Sequence, residues 1–453
     1  MATENALHGK FEVEIIKKTV VKAKGPLPES RIISLSNLDL LSGRFPVTYI
    51  YFYKSPSSSI GTSNKTLESS LAQCLEHFYP FAGSISQNPK SNELEIICDN
   101  SGVLVIQAQA NISLKEFDFY NLNKSLQGKL VFYTDNQFLV QVQIINYTCG
   151  GISVTFTFDH ALGDASAFSK FLITWSEIAM KKKVSCSPDH SRNLRARDPP
   201  SYDSFFDEAF ISCTMEEIGT MPTATISTWL KRLYYIDESS VNKLQGLACA
   251  NGGNRTKIEA FSAYIWKIMA NAIDQNHKHC KIGVFVDGRT RFSENHNSMA
   301  NYIGNVLSLA FGETDVTNLK QGSVADISDI VHKAIFKSAN EAHFRDLIDW
   351  IECHKPGLML PKTVLGLDGP AIAISSRRRF PVAELDFGFG SPILGTVCST
   401  IERPRVGYIN QRPSARGDGS WIVSAILWPE MVEALESDPD RVFQPMNVNF
   451  IQL

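Results

Sequence analysis

The feature that most constrains this chain is the interleaving of period-two, β-branched runs with helical spacing along its whole length. Alternating or β-branched runs span residues 11–22, 47–53, 93–99, 103–109, 138–146 and 152–158, the pattern of strands with at least one buried face. Between the second and third, Leu67, Leu71, Cys74, Leu75 and Phe78 recur at three- and four-residue spacing. That spacing predicts an amphipathic helix within residues 64–83, with Thr66 as N-cap and Pro80 and Gly83 as terminators. A second helix is predicted over residues 165–180. Further on, helices are predicted at 258–270, 325–351 and 428–437, and strands at 281–286, 371–375, 393–397 and 421–427. No period of 20 to 50 residues repeats, which excludes solenoids and propellers. The expected class is α/β with mixed or antiparallel sheets. At 453 residues the chain is long enough for two domains, and the polar, proline-containing stretch 181–222 reads as the connection between them.

Charge and cysteine usage narrow the partners. With 44 basic against 47 acidic residues the net charge is −3, so no basic field exists to recruit nucleic acid or an anionic membrane. Residues 1–30 hold no uninterrupted apolar core of a secretory signal, and no window approaches the roughly 18–20 apolar residues of a membrane span. The nine cysteines are scattered singly, with no C-x-x-C pair, the usage of reduced thiols in the cytoplasm. The N-x-S/T triplets at Asn64, Asn111, Asn123, Asn146 and Asn254 bear on structure only in a secreted chain.

Three segments could carry chemistry. In residues 154–168, VTFTFDHALGDASAF, a strand runs into His160, a glycine-containing loop with Asp164, and a helix. A histidine at a strand end is mostly neutral near pH 7 and can accept a proton. An H-x-x-x-D spacing arises by chance about half the time in a chain of this composition, so spacing alone does not separate a catalytic histidine from a structural one. The second segment, DFGFG at 386–390, places small residues around two aromatics, as a tight packed loop does. The third, VDGRTRF at 286–292, ends a strand in two arginines that could bind phosphate or pair with an internal carboxylate. His277, His279 and Cys280 lie close in sequence, but no carboxylate or paired cysteine completes a metal set, and a solvated loop is the reading preferred.

Taken together and in this order, the segments resemble the BAHD family of plant acyl-CoA-dependent acyltransferases, with its H-x-x-x-D and D-F-G-W-G signatures. Supporting matches are Phe78 to Gly83 (FYPFAG), Leu35 to Asp39 (LSNLD), the Asp287 to Arg291 turn and Tyr302-Ile303-Gly304-Asn305. The resemblance implies two chloramphenicol-acetyltransferase-like α/β domains with a solvent channel at their interface. The expected division is 1–190, a crossover at 191–222, and 223–453, with a segment near 360–385 packing on the N-terminal domain. It implies His160 as general base in mid-channel, Asp164 paired with an arginine, Arg289, to orient the loop, and Asp386 as support of the fold. The co-substrate would be acyl-coenzyme A, with contacts at Thr256, Lys257, Asp287, Arg289, Ser375, Ser376, Arg377 and Arg379, no metal and no permanently bound cofactor. Two departures stand out. Phe389 replaces the signature tryptophan, and Ser375 to Pro381 (SSRRRFP) puts Arg377 where the family more often has Trp.

The resemblance further implies a cytoplasmic monomer that moves an acyl group to a hydroxyl of a plant specialised metabolite without a covalent acyl-enzyme. An amine acceptor, a hydrolase using His160 to activate water, and a non-catalytic binding protein of the same fold are the alternatives.

Overall fold

The structure is a computed structural model that describes residues 11–25, 31–41, 43–55, 64–126, 128–132, 137–221, 229–273, 276–292, 298–367, 369–376, 381–398, 406–451 and 453. Two mixed sheets form its frame. The first has the strand order Val13–Val21, Val103–Ala110, Val140–Asn146, Ile152–Asp159, Pro46–Tyr53, Leu394–Cys398. The second has the order Leu307–Asp315, His279–Asp287, Ala371–Ser376, Val406–Pro413, Trp421–Leu427, Leu230–Ile236, Gln444–Pro445. In the first, Val103–Ala110 and Val140–Asn146 run parallel and the other pairs antiparallel. In the second, Ala371–Ser376 runs parallel to both neighbours. This is the α/β class that the interleaved pattern predicts.

The helix Asn64–His77 lays Leu67, Leu71, Cys74 and Leu75 on the first sheet, and Ala165–Ala179 adds Phe168, Phe171 and Trp175 to the same cluster with Tyr49, Tyr51 and Phe156. The opposite face of Pro46–Tyr53 gives Ile50 and Phe52 to a cluster that also holds Leu233, Tyr235 and Ile422 of the second sheet. Burial on both faces explains why this strand is apolar almost without interruption. Each such side chain removed from water contributes about 1.5–3 kcal/mol, so this cluster is a main bond between the two halves. The helix Lys257–Met269 is enclosed on nearly every side, with Phe261, Ile265 and Trp266 fully buried, and is correspondingly apolar over most of its surface.

Three local expectations change. The first helix begins at Asn64, which puts Thr66 inside its first turn. Residues 325–351 form two helices, Val324–Ser338 and Glu341–His354. The break falls at Asn340, whose side chain accepts a hydrogen bond from His343 N at 3.0 Å and so starts a new helix. The connection 181–222 is structured in part. It contains the helices Phe205–Ala209 and Met215–Thr220 and the strand Phe210–Cys213, which pairs with Leu358–Pro361.

Late in the chain, residues 381–398 return to the first sheet. Leu394–Cys398 pairs with Pro46–Tyr53, and Val382, Leu385, Phe387 and Phe389 enter the first sheet's core. The segment that packs there shares only residues 381–385 with the expected 360–385 and runs on to 398, because Ala371–Ser376 is held between two strands of the second sheet.

Candidate active site

The strand Ile152–Asp159 delivers His160 into a single 3-10 turn, His160–Leu162, before the helix Ala165–Ala179. Short side chains shape this turn. The Asp159 carboxylate accepts from Ala161 N at 3.0 Å, and Asp164 Oδ1 caps the helix by accepting from Ser166 N and Ala167 N at 2.8 and 3.2 Å. Gly163 between them has φ 151°, and a Cβ there would lie 2.7 Å from Ala167 Cβ, so only glycine fits.

Two buried ion pairs clamp the turn against the second half of the molecule. Asp164 Oδ2 accepts from Arg289 Nη1 at 2.6 Å and from Val306 N at 3.0 Å, and Arg289 Nη2 donates to Gly304 O at 2.7 Å. Asp39 Oδ1 accepts from Arg192 Nη1 and Asn305 N, both at 2.7 Å, while Arg192 Nη2 donates to Leu162 O at 2.7 Å. Consecutive amides just before the strand Leu307–Asp315, those of Asn305 and Val306, are therefore held by carboxylates reaching from the first half. Gly304 lets them approach, since a Cβ on it would meet Arg192 Nη1 at 2.3 Å. Side chains of all four charged residues are at most 6% exposed, which makes each pair dependent on its partner.

His160 lines a cavity of about 2100 Å³ walled by both halves, among them Leu38, Phe45 and Val397 on one side and Leu307, Leu358 and Tyr408 on the other. Its ring stacks on Phe45 with centroids 4.6 Å apart and planes 18° from parallel. Its amide donates to Phe45 O at 3.0 Å and its carbonyl accepts from Asn305 Nδ2 at 2.9 Å. Burial lowers the imidazole pKa from its ordinary value near 6.5, against upward pulls from Asp164, Asp159, a hydrogen bond to its own main chain, and Asp39. A group in this setting is neutral at physiological pH and able to take a proton.

The other expected positions scatter. Asp287 lines the cavity and accepts from Arg289 N at 2.9 Å. Arg289, expected also at coenzyme A, commits its two Nη groups to Asp164, Asp287 and Gly304, which gives it a structural task. Thr256 caps Lys257–Met269 through Glu259, and of that corner Ile258 reaches the cavity lining. Ser375 and Ser376 line it as well, with Ser376 Oγ donating to Gln411 Oε1. Arg377 and Arg379 lie outside the described residues. His279 lies 3.2 Å from Asp315 Oδ1, and Cys280 faces the core.

Asp386 stands in the first sheet's covering layer. Its Oδ1 accepts from Gly388 N and Gly390 N at 2.7 and 3.0 Å, and Ser176 Oγ donates to its carbonyl at 2.9 Å. Phe387 packs on Trp175 at 4.9 Å, and Phe389 stands edge-on to Tyr53 at 5.4 Å, the packing that a large aromatic is needed for. Asp386→Ala loses two charge-assisted hydrogen bonds and is expected to cost about 2–3 kcal/mol. Thermal unfolding of the variant should show activity and melting temperature falling together. A folded, selectively inactive variant would place this loop in the chemistry.

Reasoning from sequence did not single out Phe45, Arg192 or the role of Asn305. Asn305 was visible only as the end of a short match, and Arg192 sits in a stretch that reads as linker. Its partner Asp39 is 153 residues away, beyond the reach of any local pattern.

The chain belongs to the Transferase family, whose sequence pattern matches residues 11–442. It is an acyltransferase of the BAHD type, with a chloramphenicol-acetyltransferase-like fold and acyl-coenzyme A as co-substrate. Anthranilate N-benzoyltransferase protein 1 of Dianthus caryophyllus is 28% identical over 451 residues, covering 92% of this chain and 97% of the relative. Shikimate O-hydroxycinnamoyltransferase of Nicotiana tabacum is 25% identical over 443 residues, covering 94% and 99%. Among solved structures, F. graminearum TRI101 complexed with ethyl coenzyme A superposes with a TM-score of 0.72 at 15% identity, covering 92% of this chain and 99% of that one. Among the described residues, no helix is long and apolar enough to cross a membrane.

Proposed function

We propose that the chain moves an acyl group from coenzyme A to a hydroxyl of a small plant metabolite, as a cytoplasmic monomer, with His160 as general base. The observation that carries this reading is the His160 ring in the wall of the shared cavity, where burial lowers its pKa and favours the neutral form, against a hydrogen bond to its own main chain. In this reading Nδ1 carries the ring proton toward that main chain, since a hydrogen bond that raises the pKa has the ring N–H as donor. Nε2 is then left as the acceptor, facing the substrate.

The acceptor O–H gives its proton to Nε2 as its oxygen attacks the thioester carbonyl. The tetrahedral oxyanion collapses, the C–S bond breaks, and the imidazolium protonates the departing thiolate. No covalent acyl-enzyme is needed, in keeping with the lack of a G-x-S-x-G elbow. A cavity of about 2100 Å³ exceeds the roughly 300–1,000 Å³ of an ordinary ligand pocket, which supports simultaneous occupation by donor and acceptor from opposite mouths of a channel. Asp287, Ser375 and Ser376 are the proposed coenzyme A contacts within that wall, and Thr256, Lys257, Arg377 and Arg379 are proposed with them on the family resemblance alone. An amine acceptor is the second reading, favoured by the N-benzoyltransferase relative.

The test is thiol release by purified protein from a panel of acyl-coenzyme A donors, each with pooled phenolic, terpenoid and alkaloid alcohols and amines, followed by mass spectrometry. Release that requires an acceptor and yields a product heavier by one acyl group is the expected result. Release in water alone would mark a hydrolase, and coenzyme A binding without turnover a non-catalytic protein.

A further inference from the structure

We propose that Asp39 and Arg192, acting through Asn305 and the Leu162 carbonyl, are positioning residues for His160, a second device alongside the Asp164–Arg289 pair. This rests on the reading of His160 as the base. The chain of contacts is continuous. Asp39 Oδ1 accepts from both the backbone N and the side-chain Nδ2 of Asn305, at 2.7 and 3.0 Å, which fixes the amide plane. That Nδ2 also donates to His160 O at 2.9 Å, on the main chain to which the imidazole is itself hydrogen-bonded. Arg192 closes the loop, with one Nη on Asp39 and the other on Leu162 O, the last residue of the histidine's turn. Ser36 holds the second Asp39 oxygen through its N and Oγ at 2.9 and 2.6 Å.

Everything in this relay is buried. Asp39, Arg192 and Asn305 are 1%, 3% and 3% exposed, so the geometry is fixed before any substrate arrives, and misplacing a reacting group by about 1 Å can cost about 100-fold in rate. Only an arginine spans both acceptors, because its planar fork directs separate N–H groups at Asp39 and at Leu162 O. The charged groups around His160 and its cavity are Asp159 with Arg44, Asp164 and Asp287 with Arg289, Asp39 with Arg192, and Lys170, Arg291 and Arg412 on the cavity wall. Asp39 is among those that favour the imidazolium. Neutralising it while Arg192 keeps its charge therefore moves the acid limb of kcat/KM to lower pH.

The experiment compares Arg192→Lys, Asp39→Asn and His160→Ala, with Arg192→Lys also made in the His160→Ala background. Arg192→Lys keeps the buried charge and loses the fork. It should lower kcat about 10- to 100-fold with KM for acyl-coenzyme A within about twofold, and should have no further effect on the residual rate of the His160→Ala enzyme. An equal loss in that background would overturn the relay, since the effect would then bypass the histidine. Asp39→Asn should shift the acid limb downward, and an unmoved limb also overturns the proposal. If Asp39→Asn does not fold, the Arg192→Lys cycle decides alone. A His160→Ala enzyme of full activity refutes the base itself and with it the relay, an outcome distinct from the other two.

Discussion

His160→Ala should lower kcat by about 100- to 10,000-fold while coenzyme A still binds, because a positioned general base contributes a factor of that size. The ring faces the cavity on one side and Phe45 on the other, with ring centroids 4.6 Å apart. Truncation thus removes the proton acceptor without opening the clamps that hold the turn by main-chain atoms. The pH profile gives a second readout. With His160 as the proposed base, the neutral imidazole would be the working form, and kcat/KM should fall as pH drops through a pKa that burial places below 6.5. That limb should disappear from the residual activity of the variant. An enzyme that keeps its rate, or keeps the limb, would assign the proton to another group.

Arg289→Ala should damage stability more than any single change in the cavity wall. It leaves Asp164, whose side chain is fully buried, without its guanidinium. Breaking a buried pair from one side costs about 3–5 kcal/mol, a large part of the roughly 5–15 kcal/mol that holds a typical protein folded. Asp164 would still accept from Ser166, Ala167 and Val306, so the loss falls on the junction between the halves. Denaturant unfolding of Arg289→Ala, Asp164→Ala and the double variant is the check. The double variant should be less damaged than the two single losses added together, as expected for residues that meet. Strict additivity would mean that the two residues act separately.

Much of the frame was legible because its signals are local. Strands such as Ile152–Asp159 and Trp421–Leu427 fall within a residue of the expected limits, since period-two burial is written in adjacent residues. The helix break at Asn340 was missed because apolar spacing continues across it, and the cap that restarts the helix is one side-chain hydrogen bond. His160, Asp164 and the partnership with Arg289 were visible through the family resemblance, which carries long-range information that periodicity lacks. Asp39 and Arg192 were not paired in that reading. The carboxylate lies in the LSNLD stretch and the guanidinium in the crossover, and nothing short of the folded chain shows that both reach the same turn.

The late return of residues 381–398 to the first sheet also governs how the chain can be made. Pro46–Tyr53 lacks its outer neighbour until Leu394–Cys398 has left the ribosome, so nearly nine-tenths of the protein is synthesised before that strand gains its partner. Until then an apolar edge stands open to other chains. Neither half is therefore a natural unit for expression. A product truncated before residue 381 should aggregate through that edge, and a separately supplied C-terminal fragment should rescue it by strand addition.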